Sequence, residues 1–205
     1  MWRCLVVCVL ATSVWAADPR GTEASRRARD HCTQADELSG EARTSALRES
    51  LAEAEAAIAA DDTDALAHFA AFCALGRLLR VRGLSFAAPF QLRQLRREID
   101  RTVELAPDFA DALAGKAALL VNLPRLLGGD AAEGERLARR ALVIDTDYLQ
   151  PRLTLVEALR ARGADDEARD EARRALAIAE RKRSPEDARE ARAHLDALGA
   201  GAANP

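Results

Sequence analysis

The sequence predicts an all-α protein built as a solenoid of about three to four stacked antiparallel helix pairs with a capping helix at the C-terminal end. Three observations predict it. Hydrophobic residues make up 49% of the 205-residue chain and charged residues 31%, while aromatics supply only 4%. Alanine, leucine, glutamate and arginine favour helix, and the aromatic residues that sheets use are scarce. From about residue 23 onward, apolar residues recur at spacings of three and four, and turn residues break the pattern roughly every twenty positions. Two successive stretches also superimpose: placing Gly129 on Gly163 brings Gly134, Ala138 and Ala141 onto Ala168, Ala172 and Ala175. Small residues at matching offsets mark where paired helices approach closely. A chain of this length accommodates one such domain.

The elements follow in order. Residues 1–16 read as a signal peptide, with Arg3 at the start, the apolar run LVVCVLA at 5–11, and VWA at 14–16 before Ala17. An uncleaved apolar N-terminus is the alternative; the run is too short to anchor in a bilayer, and Val7 before Cys8 argues against a lipoprotein. Residues 17–198 read as the helical repeat domain. Segments near 23–38 and 41–60 form a degenerate first pair, and 64–83 with 90–107 a second. A third comes from 108–123 with 128–145, and the clearest runs from Leu149 to Ala179, broken at Gly163 and Asp165. In its first helix Leu153, Leu155, Val156 and Leu159 share a side, and in its second Asp165 with Arg169 and Asp170 with Arg174 are spaced for i,i+4 pairs. Ser184 as N-cap and Pro185 at the first helical position open the capping helix, which ends before Gly199; residues 199–205 form a flexible tail.

The segment LPRLLGGD at 123–130 interrupts the third pair, and a phosphate-cradling loop and a structural elbow both present glycines there. Pro124 ends the first helix, and the two glycines turn the chain. Asp130 then acts as N-cap with Glu133 three residues on, a capping box whose carboxylates occupy the amides an anion would need. The elbow is therefore preferred, and Leu123, Leu126 and Leu127 are expected to be buried against a neighbouring repeat or around a ligand.

The unit of about 34 residues, with Gly163, Ala168 and Ala175 at their offsets and ELAPDFADAL at 104–113 across a junction, resembles a tetratricopeptide repeat (TPR) protein. That resemblance implies a right-handed solenoid whose first helices line a concave binding surface. The sequence departs from the repeat pattern where Leu113 and Arg152 replace a tryptophan and Glu180 replaces a proline. On the repeat frame, Phe69, Asn122, Gln150, Leu153, Glu157 and Arg160 fall near the groove, beside Leu66, Asp111 and Ala114. The lysine, asparagine and arginine set with which some repeat domains clamp C-terminal carboxylates is largely missing. Within the family, the loop NLPRLLGGDAAEG following IDRTVELAPDF is similar to the exported T component associated with tripartite (TRAP) transporters, which implies a periplasmic subunit handling a small organic or hydrophobic ligand.

Catalytic apparatus is not visible, and the chain reads as non-enzymatic. GLSFA at 83–87 lacks the preceding strand of a nucleophile elbow. His31, His68 and His194 are too scattered for a zinc site, and the carboxylates alternate with arginines as on a solvated face; no metal or cofactor is expected. A net charge of −3 gives no case for nucleic acid. Loss of the signal peptide removes Cys4 and Cys8 and leaves Cys32 and Cys73, either bridged or separately buried. Between Arg77 and Arg101, seven arginines face only Glu98 and Asp100, so Arg93, Arg96 and Arg97 form either a solvated face or a patch for an anionic partner. Phe69, Phe72, Phe86 and Phe90 form either an inter-repeat core or a pocket. Two functions follow as expectations: an exported scaffold for a protein partner in the cell envelope, or a transporter-associated subunit for a small ligand, with no stable membrane span after cleavage.

Overall fold

The computed structural model describes residues 19–82 and 88–202. The signal-peptide segment 1–16, the stretch 83–87 with Ser85 and Phe86, and tail residues 203–205 lie outside the described residues. Nine α-helices occupy the described chain, with no strand among the described residues: α1 (Glu23–Gln34), α2 (Gly40–Ala60), α3 (Ala65–Arg82), α4 (Ala88–Leu105), α5 (Ala110–Asn122), α6 (Ala131–Ile144), α7 (Leu149–Ala161), α8 (Asp165–Lys182) and α9 (Pro185–Ala202). Consecutive helices pair as antiparallel hairpins, four pairs with α9 as cap, and none of the described helices is long and apolar enough to cross a membrane.

The core is a chain of local clusters. One joins α1, α2 and α3 through Cys32, Leu47, Ala74 and Leu78; a second joins α3, α4 and α5 through Leu66, Phe69, Ile99 and Phe109. A third binds α5 to α9 through Leu113, Ala117, Ala138, Ala141, Leu155, Val156, Leu159, Ala168 and Leu198. Each pair thus buries its apolar stripe only against its neighbours, as in a stacked repeat. The small-residue stripe does what its spacing implies. A Cβ on Gly134 would lie 2.5 Å from Val121 Cγ2 and 3.0 Å from the Ala117 carbonyl oxygen, so α6 approaches α5 closely enough to require glycine there.

Helix ends show where local rules hold. Asp130 caps α6 as expected, its carboxylate accepting from the amides of Ala132 and Glu133 at 3.1 and 3.0 Å, an interaction worth about 1 kcal/mol. The capping box, however, is only half formed. The Asp130 amide donates to the Leu120 carbonyl at 2.9 Å, and Glu133 pairs instead with Arg136. Ser184 differs too: its hydroxyl donates to Asp187 at 2.6 Å. On α8 the ion pairs are Arg169–Asp166, Arg173–Asp170 and Arg174–Glu171, all at i,i+3 rather than the expected i,i+4. The last helix continues past Gly199 to Ala202, because one glycine in an exposed helix costs only about 1 kcal/mol and does not by itself end it.

The elbow at 123–130 is structural. The chain leaves α5 at Leu123 in an extended conformation, makes a single 3-10 turn at Arg125–Leu127, and reverses at Gly128 with φ +86°. A Cβ on Gly129 would lie 1.8 Å from the Leu123 carbonyl oxygen, so both glycines are obligatory, one for its dihedral and one for space. The expectation that its leucines are buried is corrected: Leu126 is 99% exposed and Leu127 is also exposed, because the turn projects from the rim instead of folding back.

Three long-range polar contacts lock the array. Asp64 caps α3 through the amides of Leu66 and Ala67 and accepts from the Thr22 amide and hydroxyl at 2.9 Å, which fastens the start of α1 to α3. His68 Nδ1 bonds Glu98 Oε2 at 2.7 Å, joining α3 to α4. Arg152 on α7 pairs with Glu171 on α8. Apart from these three, His31 Nδ1 lies 2.9 Å from a Glu53 carboxylate oxygen across α1 and α2 without a hydrogen bond between them.

Candidate binding groove

The first helices of the last pairs, α5 and α7, lie side by side with the end of α9, and their C-terminal halves enclose an open cleft of about 490 Å³. Val121 and Asn122 enter from α5, Glu157, Arg160 and Ala161 from α7, Asp165 from the start of α8, and Ala197 and Leu198 from α9. Three of the six groove residues expected from sequence, Asn122, Glu157 and Arg160, are thus brought together. The Asn122 side-chain amide donates to Glu157 at 3.3 Å and to the Ala118 carbonyl at 3.0 Å, which orients the carboxylate. Arg160 and Gln150 are exposed, Gln150 a helix length away near the start of α7.

Two expected groove residues are corrected. Phe69 is only 7% exposed and packs edge-on against Phe109 with ring centroids 4.7 Å apart. Leu153 is 2% exposed, in a cluster with Ala175, Ile178, Ala188 and Ala191. Both belong to the seams between helices, because α3 and α7 are covered on more than one side. The aromatic question also resolves by residue. Phe69 and Phe72 are inter-repeat core, with Phe72 against Gly115, where a Cβ would stand 2.7 Å from the ring. Phe90 is 64% exposed and belongs to no core cluster.

Of the three arginines expected on a solvated face or an anion-facing patch, two are engaged within the chain. Arg96 Nη1 donates to the carbonyl oxygens of Leu127 and Gly128 at 3.2 and 2.9 Å and so ties α4 to the elbow. Arg97 pairs with the buried Glu98 at 3.1 Å. Arg93 is exposed on the same helix. Nearby, Arg77 pairs with Asp36 and Arg101 with Asp62 and Glu104, so local carboxylates offset much of the counted positive charge.

Charge in the cleft has a definite sign. Glu157 and Asp165 oppose Arg160, a surplus of one carboxylate, while the C-terminal ends of α5 and α7 and the N-terminal end of α8 meet there with opposed dipoles. Along the same inner face, the Tyr148 hydroxyl donates to Asp111 at 2.7 Å; burial, followed by the Asp111 charge, pushes the phenol well above its ordinary range, so it stays a donor. Sequence reasoning did not find Tyr148 or Asp165. Their only signal was position, one residue before α7 and at the first residue of α8.

Stacked helical hairpins with an open, side-chain-lined inner face define an α-helical repeat protein. No family model matches the chain, and no curated protein matches it. Among solved structures 26 chains match, including a thermophilic TPR protein of Thermus thermophilus. It is 16% identical with a TM-score of 0.57, and the match covers 83% of this chain and 98% of that one. Identity that low establishes the fold alone: the helix pairs stack in the TPR arrangement.

Proposed function

We propose that this protein is a non-enzymatic scaffold of the cell envelope that holds a segment of a partner protein along its inner face. The observation that carries this reading is the convergence of Asn122, Glu157 and Arg160 from two parallel helices on one open cleft. Helix backbones have no free amides along their length, so recognition there depends on side chains, as in groove binding of helical or extended segments. The two carboxylates favour a lysine or arginine on the bound segment. Glu157→Lys is expected to lower the affinity of basic peptides selected from a displayed library against the full chain by about tenfold, roughly 1.4 kcal/mol. Its thermal midpoint should stay within about 2 °C of wild type, since Glu157 is not fully buried and belongs to none of the core clusters. Equal affinity in variant and parent would remove the reading.

Export rests on the apolar run at 5–11 and the small-residue site before Ala17. Edman sequencing of the protein recovered from cell envelopes is expected to begin at Ala17; a mature chain beginning at Met1 would place it elsewhere.

A second reading, a transporter-associated subunit similar to the T component, is favoured by cleft size. About 490 Å³ lies within the range of small-ligand sites. Native mass spectrometry distinguishes it, through a non-protein mass retained by wild type and lost in Glu157→Lys.

A further inference from the structure

Cys32 on α1 and Cys73 on α3 meet in the cluster that joins the first three helices. Both are free thiols, Cys32 buried and Cys73 partly buried against it in that cluster. Arg77, one turn beyond Cys73 on α3, sits on the same sulfur. Its Nη1 donates to Cys32 Sγ at 3.0 Å and to the Cys32 carbonyl, while Nη2 pairs with Asp36 at 2.8 Å. The thiols, the guanidinium and the carboxylate thus form one unit between α1 and α3, with no groove residue needed to explain it.

The electrostatics assign the sulfurs different parts. The neighbouring Cys73 thiol, and after it the positive charge of Arg77, hold the Cys32 thiol below its ordinary range despite burial. The same proximity and burial push Cys73 up, so its proton is retained. A sulfur with thiolate character beside a protonated second thiol is the arrangement of an attacking and a resolving cysteine.

We propose that Cys32 and Cys73 form a dithiol–disulfide site, oxidised by hydrogen peroxide, whose bond ties α1 to α3. The Cys32 thiolate attacks one peroxide oxygen; an S–O bond forms, the O–O bond breaks, and hydroxide leaves to take a solvent proton. The Cys73 sulfur then attacks the sulfenic sulfur; the S–S bond forms, the S–O bond breaks, and the leaving hydroxide departs as water with the Cys73 proton. Each sulfur gives up one electron, and peroxide is reduced to two waters. Cys32 is almost fully buried, which selects a small oxidant over a bulky one. The closed loop encloses all of α2 and restricts the unfolded chain over about 40 residues.

The test uses the full chain, reduced and then given one equivalent of hydrogen peroxide. Expected are a mass loss of about 2 Da, a Cys32–Cys73 linked peptide in a non-reducing digest, and a thermal midpoint several degrees higher that dithiothreitol reverses. Arg77→Gln should slow the crosslink about tenfold, as the thiolate loses its cation. Sulfinic or sulfonic acid on Cys32 without a crosslink would overturn the proposal, as would a link from either residue to Cys4 or Cys8. The wild-type comparison needs no cysteine variant, so it stands if Cys32→Ser or Cys73→Ser fails to fold.

Discussion

Phe109→Ala is expected to lower the unfolding free energy by about 3–5 kcal/mol, the range for deleting a large buried aromatic. Phe109 is fully enclosed at the start of α5, edge-on to Phe69 and packed with Leu66, Ile99 and Ala112. Its ring fills the seam between the second and third helix pairs. In a stacked array each seam holds only its two neighbours together, so the loss should also weaken coupling between the halves. Urea unfolding followed by circular dichroism should then split into two transitions, α1 to α4 separating from α5 to α9. A single transition shifted by less than about 1 kcal/mol would mean that other contacts hold the seam.

The second large effect is at Arg152, where the repeat pattern calls for a tryptophan. Arg152 and Glu171 are both buried and paired; Arg152 Nη2 also donates to the Thr146 carbonyl at 2.5 Å, and Glu171 accepts from Arg174 at 2.5 Å. Removing one member of such a pair leaves the other's charge buried with too few partners. Arg152→Ala is therefore expected to cost about 3–5 kcal/mol, whereas Arg152→Met with Glu171→Leu should recover most of that loss. Denaturant midpoints of the single and double variants decide it. A double variant no better than the single would show that packing volume, not the stranded carboxylate, sets the cost.

Much of the architecture was legible because it repeats. The period of the apolar residues, the Gly134–Ala138–Ala141 stripe and the elbow at Pro124 each follow from local chemistry, and the structure reproduces them. The site was legible only in part. Periodicity tells which residues share a helix face, but α7 is covered from several sides, so Leu153 went into a seam while Glu157 and Arg160 reached the cleft. Counting arginines identified a basic stretch without revealing that carbonyl oxygens exposed by the left-handed turn at Gly128 would engage Arg96. The leucines of the elbow were expected inside on grounds of polarity, yet the obligatory turn carries Leu126 into solvent.

What the sequence determined by itself was the helical class, the pairing of consecutive helices and the turns between them, all governed by residues within a few positions of one another. Only the tertiary structure decided which side chains face the cleft and which polar groups meet. Thr22 with Asp64, His68 with Glu98, and Arg152 with Glu171 join residues 42, 30 and 19 positions apart. Such contacts depend on the crossing and spacing of stacked helices, and those are set by the summed packing of every seam, a quantity that no local pattern encodes.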